Sequence, residues 1–335
     1  MQVKTMPPAA AAAAGAVCIS SSAVLMRLAA TSASITALGR CSFALPVLGA
    51  LALLERRRGV PPMPSRSRWL ARLAGVFLAA DLIMWSHAIT AIGAGLGTVV
   101  GNLEVLIISL LAWLVLGERP RRSLVLASPV MLAGLVLVGG LADVGGSRAY
   151  GTDPALGVVY GVGVAILYAI YILMLRQATS SAAAGTAETP GARAAVAAPL
   201  LEATAGAVAG SVVLGFALRD FHLGPAWPAL GWLALLALTS QVIGWLLITV
   251  SMPRLAAGMI GALLLIQPAG SVALSYVILG ERPSALQLAG VVLVLTGVLV
   301  AVSARTPEAA YSRRRTRIIR QASGASRGRS LSKSP

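Results

Sequence analysis

The chain has 335 residues, of which 57% are hydrophobic and only 11% are charged, and its mean hydropathy is +0.84. So few charged side chains cannot cover a soluble protein of this size, and apolar runs of about 18 residues or more indicate helices that span a membrane. The net charge of +16 does not indicate nucleic-acid binding, because the positive residues lie in a few polar segments between and after the apolar runs.

Ten apolar runs predict ten transmembrane helices, of which the first is the weakest because it is rich in Ala and Ser. A segment of Ala, Ser, Thr and Gly at 179–193 has the composition of a flexible linker and divides the helices into two groups of five. The predicted helices cover approximately 9–27, 35–54, 69–88, 98–116, 123–141, 155–175, 196–218, 231–250, 259–279 and 285–303.

Two stretches of the chain are near-copies of each other. Trp69 in the first corresponds to Trp232 in the second, and every other corresponding pair is the same number of residues apart. The first copy extends to about 137 and the second to about 300, with no gap between them. A duplicated membrane unit is typical of secondary transporters. The copies agree best in a turn that consists of Gly117, Glu118, Arg119 and Pro120 in the first and of Gly280, Glu281, Arg282 and Pro283 in the second.

The two halves are predicted to be inverted relative to each other in the membrane. With five helices in each half, and both termini on one side, the second half enters the membrane from the side opposite to the first. The arginines agree with this topology, because the Arg-rich segment 56–68 before the first copy has an Arg-poor counterpart at 219–231. Positive loops face the cytoplasm. We therefore expect an all-α polytopic membrane protein of two inverted five-helix repeats, with both termini cytoplasmic.

The repeated turn carries a family resemblance. The sequences LLAWLVLGERP (110–120) and ALSYVILGERP (273–283) resemble the ends of the two domains in EamA-type members of the drug/metabolite transporter superfamily. AADLIMWSHAI (79–89) resembles the third-helix segment of some bacterial members. The resemblance covers nearly all of 9–303. It implies this fold and transport as a general activity, but it does not imply a particular substrate. We expect the protein in a bacterial-type inner membrane, and we expect no cofactor.

The sequence departs from the family pattern at one position, and its domain boundaries can be predicted. Many members have a proline in the middle of helices 4 and 9, but here only helix 9 has one, in Gln267-Pro268, where helix 4 has Glu104-Val105. A kink is therefore expected in helix 9 and is not assured in helix 4. The expected organisation is an N-terminal tail at 1–8, repeats at 9–142 and 154–303, and a disordered basic tail at 304–335.

Ionisable side chains inside the predicted helices are costly in a membrane and are therefore candidates for binding substrate or protons. Asp81 is predicted ~10 Å and Glu104 ~9 Å below the outer surface, with Arg40 at similar depth. An arginine beside two carboxylates can hold one ionised, while the other is free to bind a proton. The alternative is that Asp81 and Arg40 only pair with each other in the bundle interior.

Further candidates have weaker patterns. Trp85 follows Asp81 by one helical turn, so its ring could line the path of a cationic substrate or could face lipid. His87 lies near the outer interface, and Glu202 lies close enough to the cytoplasmic end of helix 7 for its carboxylate to reach water. Glu118 and Glu281 are interpreted as structural, each near the positive N-terminus of the helix that follows it. The remaining polar candidates are Asn102 and Gln267.

These features predict a secondary transporter of a small metabolite or drug, most simply an exporter that works by alternating access, with proton coupling as one option and uniport or exchange as another. A different possibility is a non-transporting membrane scaffold or sensor whose basic tail binds a partner. In either case the tail is expected to lie against anionic lipid headgroups. The chain shows no nucleophile and base arrangement and no metal-ligand cluster, so no enzyme activity is expected. Substrate, direction and oligomeric state do not follow from the sequence.

Overall fold

The computed structural model describes residues 6–117, 122–139, 153–184, 197–221, 227–251, 255 and 257–303, and this part of the chain contains helices and turns but no strand. The helices are, in chain order, α1a (Pro8–Ser20), α1b (Ser22–Ala29), α2 (Ala33–Arg57), α3 (Ser65–Ile92), α4a (Ala94–Gly101), α4b (Glu104–Leu116), α5 (Arg122–Val138), α6 (Pro154–Ala184), α7 (Ala197–Ala217), α8a (Ala229–Leu236), α8b (Trp245–Ser251), α9a (Ala257–Leu264), α9b (Ile266–Leu274) and α10 (Ala285–Ser303). Two π-helical segments complete α8 and α9, namely Ala237–Gly244 between α8a and α8b, and Ser275–Leu279 after α9b.

The lengths of these helices suit a membrane. Eight helical segments are long and apolar enough to cross a bilayer, and α5 and α10 are shorter apolar helices. α5 has 17 residues, which is at the lower limit of about 17 for a spanning helix. The predicted fold class is confirmed: the chain is an all-α polytopic membrane protein whose described helices follow the ten predicted segments.

The packing of α5 against α10 shows the inversion of the two halves. Ser123 at the start of α5 donates a hydrogen bond to the carbonyl of Ala301 near the end of α10. Gln287 at the start of α10 donates to the carbonyl of Val138 at the end of α5. These helices occupy matching places in the two copies and are antiparallel, so the repeats are related by an axis in the plane of the membrane.

The repeated turn has the same backbone conformation where both copies can be compared. Gly117 and Gly280 each end a helix with φ +69°, a left-handed conformation that glycine adopts without a steric penalty. Glu118, Arg119 and Pro120 lie outside the described residues.

The fourth and ninth helices are both broken, at corresponding positions of the two copies. α4a ends at Gly101 and α9a ends at Leu264, which is the corresponding residue. The break in α4 differs from the sequence-based expectation, because this helix lacks the proline that interrupts many related helices. Asn102 interrupts α4 in place of a proline. Its side-chain amide donates to the carbonyl of Thr98 at 2.9 Å, which is the carbonyl that the backbone N–H of Asn102 would bond in an unbroken helix.

The backbone of Asn102 then adjusts to the loss of that acceptor. Its N–H bonds instead to the carbonyl of Val99, three residues back, which tightens the turn and ends α4a. In α9, Pro268 has no N–H to donate to the carbonyl four residues earlier, so the chemistry differs while the break is in the same place.

Candidate functional site

The two helix breaks lie near the middle of the membrane. α4 begins at Ala94, so Glu104 lies ten residues, or ~15 Å, along the axis from that end. α3 continues to Ile92, so Asp81 lies eleven residues, or ~16 Å, from the same end. The sequence placed both nearer to the surface, because it did not predict that only Gly93 separates the two helices. In a hydrocarbon layer of ~30 Å, these distances place both carboxylates near the middle.

Glu104 lies directly after the break in α4. It is the first residue of α4b, and the N–H groups of Val105 and Leu106 that follow it bond to the carbonyls of Asn102 and Leu103 within the break. Gln267, at the corresponding position of the other repeat, is the second residue of α9b and is also partly buried. Discontinuous helices with polar residues at the break are where secondary transporters commonly bind substrate.

Arg40 of α2 is buried and is held by neutral partners. Its Nε donates to Oε1 of Gln241 at 3.0 Å, and Nη2 donates to Oγ of Ser240 at 3.2 Å. Both partners lie in the π-helical segment of α8, a type of irregularity that is frequent at functional sites. Ser240 is also hydrogen-bonded to Ser22 of α1b at 2.7 Å, so this network joins three helices.

Asp81 lies near Arg40 but does not bind it. Oδ1 of Asp81 is buried and has no hydrogen-bond partner among the described residues. The ion pair found in this part of the chain joins Arg72 to Glu202 and does not involve Asp81. Asp81 lies within electrostatic range of Arg40 and Glu104. The interpretation that Asp81 serves only to pair with Arg40 therefore has no contact to support it.

Two tyrosines of α6 complete this group. Tyr168 and Tyr171 lie with ring centroids 5.7 Å apart, and both are close enough to Asp81 and Arg40 for electrostatic interaction. Neither was among the residues predicted from the sequence, although a pair of phenols three residues apart in a spanning helix is a pattern that could have indicated them. We call the group the central polar cluster, which consists of Arg40, Asp81, Glu104, Tyr168 and Tyr171.

Trp85 borders this cluster and two other predicted residues lie away from it. The guanidinium carbon of Arg40 is 5.9 Å from the ring centroid of Trp85, which is half-buried and packs on the apolar core rather than facing only lipid. His87 is exposed and stacks on Tyr160, with ring centroids 5.5 Å apart.

Glu202 also lies apart from the central polar cluster. Its carboxylate accepts a hydrogen bond from Nε of Arg72 at 2.7 Å. Arg72 is nine residues before Asp81 on α3, or ~13 Å along the axis, so this ion pair is at another level of the bundle. The pair joins α3 to α7, which indicates a structural role for Glu202.

Glu281 closes one end of the bundle in a way the sequence did not predict. It is buried, and its two carboxylate oxygens accept hydrogen bonds from the N–H groups of Ala94 at 2.8 Å and Gly95 at 3.1 Å. The carboxylate therefore binds the positive N-terminus of α4a, in the other repeat, and not that of the following helix. Gly93 permits this approach, since its φ is +98° and an added Cβ would lie 3.1 Å from the carboxylate.

The two ends of the broken helices pack differently. On the Glu281 side of the breaks, α4a packs directly on α9b, and Ser271 donates to Thr98 across that contact at 3.0 Å. Beyond the breaks, α4b packs on α6, whereas α9a packs on α10 and α1a. Among the described residues, the broken helices therefore meet at the Glu281 end, whereas α4b and α9a have different neighbours at the end that carries the Arg-rich segment 56–68.

A surface depression of about 430 Å³ lies outside the closed end and is bordered by Arg27, Thr90 and Glu281. None of the residues that line it belongs to the central polar cluster. No group of three or more His, Cys, Asp or Glu residues in the described ranges is arranged to hold a metal ion.

Comparison with known proteins agrees with this architecture. The model of the EamA-like transporter family matches residues 6–140 and 155–303. No curated protein matches the chain. A crystal structure with 18% sequence identity has a TM-score of 0.58, over 88% of this chain and 96% of that one, and at this identity the likeness shows the fold alone. Because the two matched ranges cover most of the sequence, the chain belongs to the EamA-like transporter family.

Proposed function

We propose that the chain is a secondary transporter that exports a small metabolite or drug in exchange for protons. The observation that carries this proposal is the pair of helix breaks at corresponding positions of two inverted repeats, with Glu104 and Gln267 directly after them. Two inverted halves can exchange conformations, so a site between them is exposed first to one side and then to the other. A protein without transport activity gains nothing from polar residues at this depth, where they are costly.

The proposed direction rests on the distribution of arginines. The segment 56–68 contains five arginines and lies at the end where α4b and α9a have different neighbours, so we assign this end to the cytoplasm. Both termini would then be cytoplasmic, in a bacterial-type inner membrane. We propose that the contact at Glu281 closes the outer end and that substrate enters from the cytoplasmic end, as export requires.

Proton exchange is supported by the charges of the central polar cluster. Arg40 supplies one positive charge, whereas Asp81 and Glu104 can supply two negative charges. One carboxylate therefore has no counter-charge in the cluster and must bind either a proton or a positively charged group. Competition between the two for one carboxylate couples proton entry to substrate release.

The repeats, 9–142 and 154–303, are proposed to be the two moving units, with 1–8 and 304–335 as cytoplasmic tails. The basic tail lies outside the described residues, and we propose that it lies against anionic lipid headgroups, at about 1 kcal/mol per basic residue near the surface. Removing 306–335 is expected to leave transport largely intact, measured as substrate efflux per unit of protein. Loss of efflux by a deletion variant that reaches the membrane in normal amount would contradict this peripheral role of the tail.

Comparative metabolomics tests the function most broadly. Cells that express the protein are compared with cells that express Glu104→Gln at the same level, and the medium and cell contents are measured for both. Gln267 at the corresponding position indicates that an amide fits after the break, so this variant is expected to fold. We expect at least one small solute to accumulate in the medium of the wild-type cells alone. Identical profiles across a broad panel of metabolites and toxic compounds would contradict the proposal.

A further inference from the structure

We propose that the central polar cluster binds a small organic cation with a single positive charge, such as a protonated amine, between Asp81 and Glu104. This inference rests on the proposed function in so far as the cation would be the transported substrate, but binding can be measured without transport. The cluster contains both an arginine and carboxylates, so the alternatives to a cation are an anion and a zwitterion.

The arginine is not available to a ligand in the described conformation. Its guanidinium donates to Gln241 and Ser240, which are neutral acceptors, and its face is covered by the ring of Trp85 at 5.9 Å. Ser240 is fixed in turn by its hydrogen bond to Ser22. An anion would have to break this network in order to reach Arg40, and each broken bond to a charged group is costly in a buried site.

The group that lacks a partner is an acceptor. Asp81 is only 5% exposed, and its Oδ1 has no hydrogen-bond donor in the described part of the chain. Buried polar atoms are nearly always satisfied, and an unsatisfied carboxylate oxygen is among the most costly. A ligand that binds here must therefore supply a donor, and an ammonium group supplies both donors and the opposite charge.

The net charge of the cluster leads to the same class of ligand. Arg40 offsets one of the two carboxylates, so the cluster carries one negative charge in excess when both are ionised. A cation with one charge brings the total to zero, whereas an anion would leave two unbalanced negative charges in a site of low dielectric constant. A zwitterion would satisfy Asp81 but would place its own carboxylate beside Glu104.

Aromatic rings supply the remaining surface for such a ligand. Tyr168 and Tyr171 have ring centroids 5.7 Å apart; Tyr168 lies within electrostatic range of both carboxylates and Tyr171 within range of Asp81, and Trp85 lies one helical turn from Asp81. The faces of aromatic rings attract cations, and by about 2 kcal/mol or more where water is excluded. Tyr168, Trp85 and Glu104 are partly buried, whereas Asp81 and Tyr171 are buried.

Binding of three ligands that differ only in charge tests the proposal. Phenethylamine is a cation, phenylpropionate is an anion of similar size, and phenylalanine is the related zwitterion. Each is titrated into the purified full-length protein in detergent at neutral pH, and binding is measured by isothermal titration calorimetry and by the shift in melting temperature. We expect phenethylamine to bind, phenylpropionate not to bind, and phenylalanine to bind more weakly than phenethylamine.

Variants localise the site and separate its role from that of folding. Glu104→Gln is expected to lower the affinity for phenethylamine at least about tenfold, because it removes a charge-assisted contact. Asp81→Asn is expected to do the same, and Glu104→Gln keeps the test valid if Asp81→Asn does not fold. The matched control is Asp153→Asn, since Oδ1 of Asp153 caps α6 by accepting from the N–H of Leu156, and asparagine caps helices equally well. Its affinity should equal that of the wild type.

The outcomes distinguish this inference from the proposed function. Binding of phenylpropionate or phenylalanine that exceeds the binding of phenethylamine would overturn the cation assignment and leave transport standing. Equal affinity of Glu104→Gln and wild type for phenethylamine would place the cation elsewhere and also overturn it. Cation binding that is lost in Glu104→Gln, without movement of any solute by the intact protein, would support the site and contradict the proposed transport.

Discussion

The contact between Glu281 and the N-terminus of α4a is expected to hold one end of the transporter closed. Glu281→Gln keeps the shape of the side chain but removes its charge and one of its two acceptor oxygens. The wild-type carboxylate accepts from the N–H groups of Ala94 and Gly95, at 2.8 and 3.1 Å. The variant can accept only one of these bonds, so one buried N–H loses its partner each time that this end closes.

The size of the effect follows from these contacts. Hydrogen bonds to charged groups contribute about 1.5–3 kcal/mol, and a carboxylate at a partly buried helix N-terminus contributes up to about 2 kcal/mol. Because glutamine retains one oxygen and one hydrogen bond, we expect the closed state to lose about 1–2 kcal/mol. That difference raises the ratio of open to closed molecules at this end about 5- to 30-fold.

Cysteine accessibility measures this ratio. Ser271 is fully buried where α9b meets α4a, so Ser271→Cys reacts with a maleimide only when this end opens. The native Cys18 and Cys41 are first replaced, and the protein is labelled in detergent so that both faces meet the reagent. Labelling is expected to be about 5- to 30-fold faster with Glu281→Gln, and unchanged with Asp153→Asn, the same change of carboxyl to amide at a helix cap. An unchanged labelling rate in Glu281→Gln would refute a closing role for this contact.

Three further predictions concern stability. Gly93→Ala is expected to lower the free energy of unfolding by about 1–3 kcal/mol, because φ +98° with ψ 160° is a region that only glycine occupies readily; the control Gly49→Ala, in open space within α2, should lose nothing, and equal melting temperatures for the two would contradict the strain. Ser240→Ala should cost about 1–3 kcal/mol in thermal unfolding, through two lost hydrogen bonds, and a change of under about 0.5 kcal/mol would show that water replaces them. A double-mutant cycle on Arg72 and Glu202 should give a coupling energy of only about 0.5–1 kcal/mol, since the arginine is 42% exposed, and a value above about 3 kcal/mol would show a fully desolvated pair.

The architecture could be predicted from the sequence because it follows from local patterns. Apolar length determines the helices, and the inversion follows from an odd number of helices in each half and from unequal arginines. The antiparallel packing of α5 on α10 confirms that inference. The first glycine of the repeated turn also has the same backbone conformation in the two copies, since both Gly117 and Gly280 have φ +69°.

Contacts between distant parts of the chain could not be predicted in the same way. The partner of Glu281 is 187 residues away, whereas the sequence suggested only the helix next to it. The break in α4 depends on the side-chain amide of Asn102, which competes with its own backbone N–H for the carbonyl of Thr98. The pattern of apolar residues in the sequence does not predict this competition. Tyr168 and Tyr171 join the cluster because of the face that α6 presents to α3, and this face is set by tertiary packing.

Proton coupling at Glu104 is the central claim, and proton movement in proteoliposomes tests it most directly. The purified protein is reconstituted with a trapped pH-sensitive dye, and a substrate identified by the metabolomic comparison is added on one side. We predict that the wild type moves protons against the substrate, and that Glu104→Gln loses this proton movement while Asp153→Asn retains it. Proton movement by Glu104→Gln at the wild-type rate, with the same dependence on pH, would contradict the account.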